Sequence, residues 1–162
     1  MEKYIEDFLQ NNKINYILHK HPPVFTVEES KIHCKNIPGL HLKNLFLKEK
    51  TGEKYFLVTM SANERLNIKK LVSELEASRG ITFANEKELF DLLKLKPGSV
   101  SPLGMINEKG KEVFLIVDKR AWDAETTSFH PNQNDESLEV KQQDFHNLIK
   151  SFNCKFSIIK LE

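Results

Sequence analysis

The sequence predicts an α+β fold, a single domain over residues 1–162 with one mixed, curved, barrel-like sheet flanked by helices. Three observations predict it. Helical and strand periodicities are interleaved along the chain without a regular alternation. Two apolar runs, residues 42–47 and 55–60, are joined by a short polar link containing Gly52, which is a hairpin signal, whereas residues 113–117 are apolar throughout, as in a strand buried on both faces. The 162 residues show no internal repeat and no low-complexity linker, and a chain of that length buries roughly two thirds of its unfolded surface in one domain.

The elements follow in order. Ile5, Phe8 and Leu9 stand at helical spacing, so residues 2–11 read as an amphipathic helix. Residues 16–18 are a short strand, stopped by His21-Pro22-Pro23. Thr26 and Glu29 have capping-box spacing and start a helix from Val27 to about Cys34, ended by Pro38-Gly39. The hairpin comes next. A helix over residues 67–75 follows, with Ile68, Leu71, Val72 and Leu75 on one face. Asn85 with Glu88 caps another, which runs to Leu93 with Leu89, Leu92 and Leu93 inward. A Gly/Ser/Pro loop over residues 97–102 leads to a short strand near Met105, a turn at Lys109-Gly110 and the strand 113–117. Residues 126–135 read as polar and irregular. A strand over 138–140, a helix over 142–151 and a strand over 156–159 complete the chain.

Composition narrows the function. Twenty-four basic and 23 acidic side chains give a formal net charge of +1, so a binder of nucleic acid by bulk charge is disfavoured and any such partner requires a local basic patch. The two cysteines, Cys34 and Cys154, do not make a secreted disulfide scaffold. The N-terminus has no apolar signal core and no run approaches the roughly 20 residues that span a bilayer, so a cytoplasmic protein without a membrane partner is expected. His19 and His21 lack the further Cys/His ligands of a zinc site, neither cysteine neighbours a histidine in a nucleophile motif, and no phosphate-binding glycine loop occurs. No metal and no cofactor are expected.

Three segments carry candidate chemistry. Alternation puts Lys43 on the same strand face as Leu45 and Leu47, so its ammonium is directed inward or into a pocket, where it needs an anionic partner; snorkelling to water is the plainer alternative. In Gly98-Ser99-Val100-Ser101-Pro102, glycine permits close backbone approach and proline stiffens the loop. Backbone N–H groups held there can bind an ester carbonyl and its oxyanion, although the loop also reads as an ordinary connection. Ser128-Phe129-His130-Pro131-Asn132 sets an aromatic ring and an imidazole in a polar loop, either lining a site or forming a surface turn.

With His21-Pro22-Pro23-Val24-Phe25-Thr26-Val27-Glu28-Glu29 and Gly104 added, these motifs run in order over nearly the whole chain. Together they resemble the prolyl-tRNA editing superfamily, the YbaK-like deacylases and the editing domain inserted in bacterial prolyl-tRNA synthetases. Lys43-Asn44 and the His130-Pro131-Asn132 loop are most similar to the free-standing alanyl-tRNA(Pro) deacylases, called ProXp-ala or PrdX-like; the cysteine-editing branch carries a small hydroxylated residue after the lysine.

The resemblance implies a YbaK-like fold and trans-editing hydrolysis of mischarged alanyl-tRNA(Pro), with the tRNA acceptor end and prolyl-tRNA synthetase as partners. Lys43 would meet the phosphate or sugar of the terminal adenosine, residues 98–102 would hold the ester carbonyl, and Asn44, Phe129, His130 and Asn132 would contact substrate, His130 as the wall that limits acyl size. Arg79 would touch the acceptor stem. The terminal ribose hydroxyl would help activate water, so no protein base is required. The same motifs leave open a deacylase for cysteinyl- or seryl-tRNA, or a catalytically silent tRNA-binding module.

Overall fold

A computed structural model describes residues 1–51 and 53–161; Gly52, expected in the hairpin link, lies outside the described residues. The elements are α1 (Lys3–Asn11), β1 (Ile17–Lys20), α2 (Val27–His33), β2 (Leu40–Glu49), β3 (Tyr55–Ser61), α3 (Ile68–Glu74), β4 (Ile81–Phe83), α4 (Glu86–Leu93), a 3₁₀ helix (Pro102–Ile106), β5 (Val113–Asp118), α5 (Lys119–Asp123), β6 (Thr126–Phe129), β7 (Glu136–Lys141), α6 (Gln142–Ser151) and β8 (Phe156–Ile159).

The strands form one eight-stranded mixed sheet in the order β1-β7-β6-β2-β3-β5-β8, with β4 also paired to β2. β2 is the pivot. It pairs antiparallel with β3 from Leu42↔Ser61 to Lys48↔Tyr55, which is the expected hairpin. Its other edge is shared: Leu40 and His41 pair parallel with β6, and residues 47–49 pair antiparallel with β4. Gly39 makes the first of these pairings possible. Its φ is +95°, and a side chain there would meet the Thr126 carbonyl at 2.6 Å.

The central strands are buried on both faces, as the apolar run in β5 requires. Leu57, Leu115 and Val117 join a large core with Leu42, Phe46, Phe129 and Phe145. Phe56, Val58 and Ile116 join a smaller one with Leu47, against which Leu45 packs. The alternation of β2 therefore puts Asn44 on the first face and Lys43 on the second. A third cluster, Val24, Cys34 and Ile37, seats α2, which has no buried residue of its own.

Local signals explain the element ends. Asn85 and Glu88 complete a reciprocal capping box on α4. At α2 the Thr26 hydroxyl accepts from Glu29 N–H, but the Glu29 carboxylate reaches Phe25 N–H instead of closing the box. Two expectations are corrected. The segment near Met105 is 3₁₀ helix, because Ser101 caps it and Pro102 presets its first turn. Residues 126–129, read as irregular, are strand β6; β2 and β7 satisfy its backbone, so Thr127 and Ser128 are buried despite their polarity. β4 and α5 carried no assignment from sequence. Among the described residues no helix is long and apolar enough to cross a membrane.

Candidate active site

A cavity of about 190 Å³ opens where β2, α2 and the loop before the 3₁₀ helix meet. Leu42, Lys43 and Asn44 line it from the stretch of β2 between its pairings with β6 and β4. Val24 to Val27 and Ser30 line it from α2 and the segment before it, and Ala62, Gly98, Val100 and His130 complete the lining. Five residues singled out from sequence are thus brought together: Lys43, Asn44, Gly98, Val100 and His130.

Each is held by its surroundings. The Thr59 hydroxyl, wholly buried opposite Asn44 in the β2–β3 ladder, donates to the Asn44 side-chain carbonyl at 2.6 Å. That bond orients the amide so that its NH₂ group is the end left for a ligand. Burial lowers the Lys43 pKa, the Arg65 guanidinium lowers it further, and Glu64 partly offsets both. No carboxylate lies within ion-pair distance of Lys43 among the described residues, so a cation is presented at the cavity without an internal partner.

His130 is a mostly buried ring whose pKa is lowered, first by burial and then by the nearby His21 and His41, against the opposing effect of its bond to Glu136. Its Nδ1–H donates to the Glu136 carbonyl at 2.8 Å, with the Ser137 hydroxyl at 3.2 Å. His21 stands alongside, ring centres 5.6 Å apart, its Nδ1 donating to the Pro22 carbonyl and its Nε2 meeting Ser137 Oγ at 2.9 Å. The bond to Glu136 and the lowered pKa fit the His130 imidazole in its neutral Nδ1–H form, and its Nε2 is the nitrogen left to the cavity.

The loop presents backbone. Gly98 has φ +86°, a region side chains disfavour, while a Cβ at this position would come no closer to the rest of the chain than 3.9 Å, from Phe25 Cδ1, so conformation and not crowding calls for glycine. Ser99 N–H donates to the Lys96 carbonyl, whereas among the described residues the N–H groups of Gly98, Val100 and Ser101 have no acceptor in the chain. The remaining loop residues hold it in place. Ser101 is buried with its hydroxyl accepting from Leu103 N–H at 3.0 Å, and Pro102 is buried and carries no N–H.

Other expected site residues stand elsewhere. Phe129 is a core residue, 2% exposed and packed on Phe145, because the alternation of β6 turns it inward. Asn132 adopts φ +61° and bonds the Tyr4 hydroxyl, outside the cavity. Arg79 is exposed before β4, where Lys50 N–H meets Gly80; Lys50 is seven residues past Lys43, about 23 Å along an extended chain. Sequence reasoning missed the wall from Val24 to Ser30, although the His-Pro-Pro-Val-Phe-Thr motif marks it, the buried partners Thr59 and Ser137, and the half-buried His21. Among the described residues no group of three or more His, Cys, Asp or Glu side chains is placed to hold a metal.

Known proteins share this fold and sequence. The family model for the aminoacyl-tRNA editing domain matches residues 21–148. Prolyl-tRNA editing protein ProX of Acetoanaerobium sticklandii is 33% identical over 154 residues, 94% of this chain and 93% of that protein. Prolyl-tRNA synthetase associated domain-containing protein 1 of Bos taurus is 33% identical over 135 residues, 82% of this chain and 78% of that protein. A crystal structure of a candidate trans-editing enzyme for prolyl tRNA synthetase shares the fold, with a TM-score of 0.72 over 98% of this chain and 95% of that one at 12% identity. The chain belongs to the aminoacyl-tRNA editing domain family, in its prolyl-tRNA editing group, and is an aminoacyl-tRNA hydrolase.

Proposed function

We propose that this editing-family hydrolase clears alanine from mischarged tRNA(Pro), acting in trans as one domain beside prolyl-tRNA synthetase. The observation that carries the reading is the cavity itself: about 190 Å³, walled by a fixed neutral imidazole and lined with hydrogen-bond donors. Its volume falls below the roughly 300 Å³ at which drug-sized ligands begin to fit, in keeping with a small acyl group. A synthetase site shaped for proline discriminates weakly against the smaller alanine, since each missing methylene changes binding by only about 1–3 kcal/mol. A second site that admits alanine and excludes proline corrects the error, and His130 is the wall that sets its limit.

Hydrolysis then needs three things from the chain. Lys43 meets the phosphate or sugar of the terminal adenosine. The Asn44 NH₂ group and the N–H groups of Gly98 and Val100 converge on the ester carbonyl and stabilise the oxyanion that forms as water adds. The attacking water is activated by the terminal ribose hydroxyl, as the family resemblance implies, so no side chain has to titrate. The test is single-turnover deacylation of alanyl-, cysteinyl-, seryl- and prolyl-tRNA(Pro) by purified protein. Fastest turnover of the alanyl ester is expected; preference for cysteinyl- or seryl-tRNA, or turnover of none, overturns the substrate assignment.

A further inference from the structure

Next to the acyl cavity lies a second one, about 250 Å³, to which the proposed hydrolysis gives no role. The two are contiguous. Both are walled by Val27, Ser30 and Ala62, and they rest on successive stretches of one strand region, Leu42 to Asn44 for the first and Gly39 to His41 for the second. Ala62 N–H bonds the His41 carbonyl at the boundary. The centres of these stretches are three residues apart, about 10 Å of extended chain. α2 overlies both.

The second cavity is cationic. Lys31 and Lys35 line it, and no carboxylate does. Both lysines are exposed, and neither is ion-paired among the described residues. His41 completes the wall, its Nε2–H donating to the Ile37 carbonyl at 2.8 Å, so this ring is braced against the turn that carries Lys35. The chain as a whole is nearly neutral, at +1. Two free ammonium groups in a concave site beside the acyl cavity are therefore a local feature and not an overflow of bulk charge.

We infer that this cavity is a phosphodiester subsite for the single-stranded 3′ end of the substrate RNA. It takes the phosphate one nucleotide upstream of the one nearest the ester, with Lys31 and Lys35 as its ligands. The inference rests on the proposed function. An RNA end whose terminal adenosine is held at Lys43 must continue out of the acyl cavity, and the shared wall of Val27, Ser30 and Ala62 gives it a continuous path. The lysines carry no chemistry. They position the strand, and their charge is read through affinity and salt dependence.

The experiment uses 3′-alanyl esters of two oligonucleotides, CpA, which has one phosphodiester, and CpCpA, which has two. Wild type should show a higher kcat/KM on alanyl-CpCpA than on alanyl-CpA. The double variant Lys31→Ala/Lys35→Ala should lose that gain, a drop of roughly three- to tenfold at low salt on CpCpA through KM, while its rate on CpA stays at the wild-type value. The slope of log kcat/KM against log salt on CpCpA should become shallower by about 0.7, the value for one single-strand phosphate. The charge-reversed pair Lys31→Glu/Lys35→Glu should fall further on CpCpA alone. An equal loss on both esters, or a wild type indifferent to the second phosphodiester, overturns the subsite. Failure of wild type on every alanyl ester, including alanyl-tRNA(Pro), instead overturns the substrate assignment beneath it.

Discussion

Truncating His130 to alanine separates a size-limiting wall from a catalytic imidazole. The ring is tied at Nδ1 to the Glu136 carbonyl, 2.8 Å away, and bounds a cavity of about 190 Å³. Removing it leaves that carbonyl without its donor, which costs roughly 1–3 kcal/mol of stability, so the fold should survive with a lowered Tm. It also opens the wall. Relief of one methylene's worth of clash is worth about 1–3 kcal/mol to the larger substrate, and the ratio of alanine to proline deacylation should fall roughly 10- to 200-fold. The alanine rate itself should drop by up to about 100-fold, because a small side chain in an enlarged site sits off its productive pose.

Single-turnover rates on alanyl- and prolyl-tRNA(Pro), measured side by side, supply that ratio. Both rates falling together with the ratio unchanged would refute the wall, and so would no change in either. Because burial lowers the pKa of His130, the wild-type ratio should be flat from pH 8 to about 6.5. The stability contribution has the opposite trend from a salt-bridged histidine. With the folded pKa below the unfolded 6.5, the unfolded state takes up the proton first, so stability is complete above 6.5 and declines as pH falls from there toward the folded pKa.

Lys43→Ala should fold normally and lose about 10²–10³ in single-turnover rate; a rate near wild type would remove Lys43 from the site. Gly98→Val should combine a strained left-handed backbone, about 1–2 kcal/mol, with a blocked approach to the loop, and abolish most activity. Ser99→Ala should leave the rate unchanged. Ser101→Ala should also keep the rate but lower stability by about 1 kcal/mol, since its hydroxyl caps the 3₁₀ helix; loss of activity in a folded serine variant would demand a hydroxyl mechanism. Glu88 is held at a pKa of about 2 by the Asn85 N–H, the Tyr55 hydroxyl and Lys48 against some burial, so its contribution is present above about 4.5 and lost as pH falls toward 2. Glu88→Gln should therefore lower neutral-pH stability by roughly 1–3 kcal/mol and flatten the acid limb of a Tm-versus-pH curve.

Legibility followed the range of the determining interactions. α6 and β8 end where their apolar spacing predicts, and the Asn85–Glu88 box is a three-residue signal that α4 makes in full. β6 escaped detection because Thr-Thr-Ser-Phe has neither period; only its neighbours β2 and β7, which cannot be read locally, make it a strand. β4 has three residues, too few for periodicity to register. In the site, Gly98 and His130 were visible because a backbone needing positive φ and a residue preceding proline leave local marks. Phe129 was placed wrongly for the converse reason: adjacency to His130 in sequence carried it into the site, whereas strand alternation sends the two side chains to opposite sides.

Lys43 and Lys48 show where local reading ends and the fold decides. Both stand on β2, five residues apart and hence on opposite faces; alternation with Leu45 and Leu47 marks Lys43 in the sequence, but it leaves open whether either lysine has an internal partner. Lys48 bonds both carboxylate oxygens of Glu88, at 2.9 and 3.0 Å, across a gap of 40 residues, and that carboxylate also takes the Tyr55 hydroxyl at 2.6 Å. Its charge is consumed in joining α4 to the sheet. Among the described residues Lys43 has no such partner, and its surroundings work against its charge: burial and Arg65 disfavour the ammonium, and Glu64 offsets them only in part. An arriving phosphate would have no internal ion pair to break and would relieve an existing cost, so the same desolvation that makes Lys43 unfavourable in the free protein strengthens its hold on an anion. Under the proposed function Lys43 is therefore the lysine of β2 suited to meet the phosphate, because the fold gives Glu88 to Lys48.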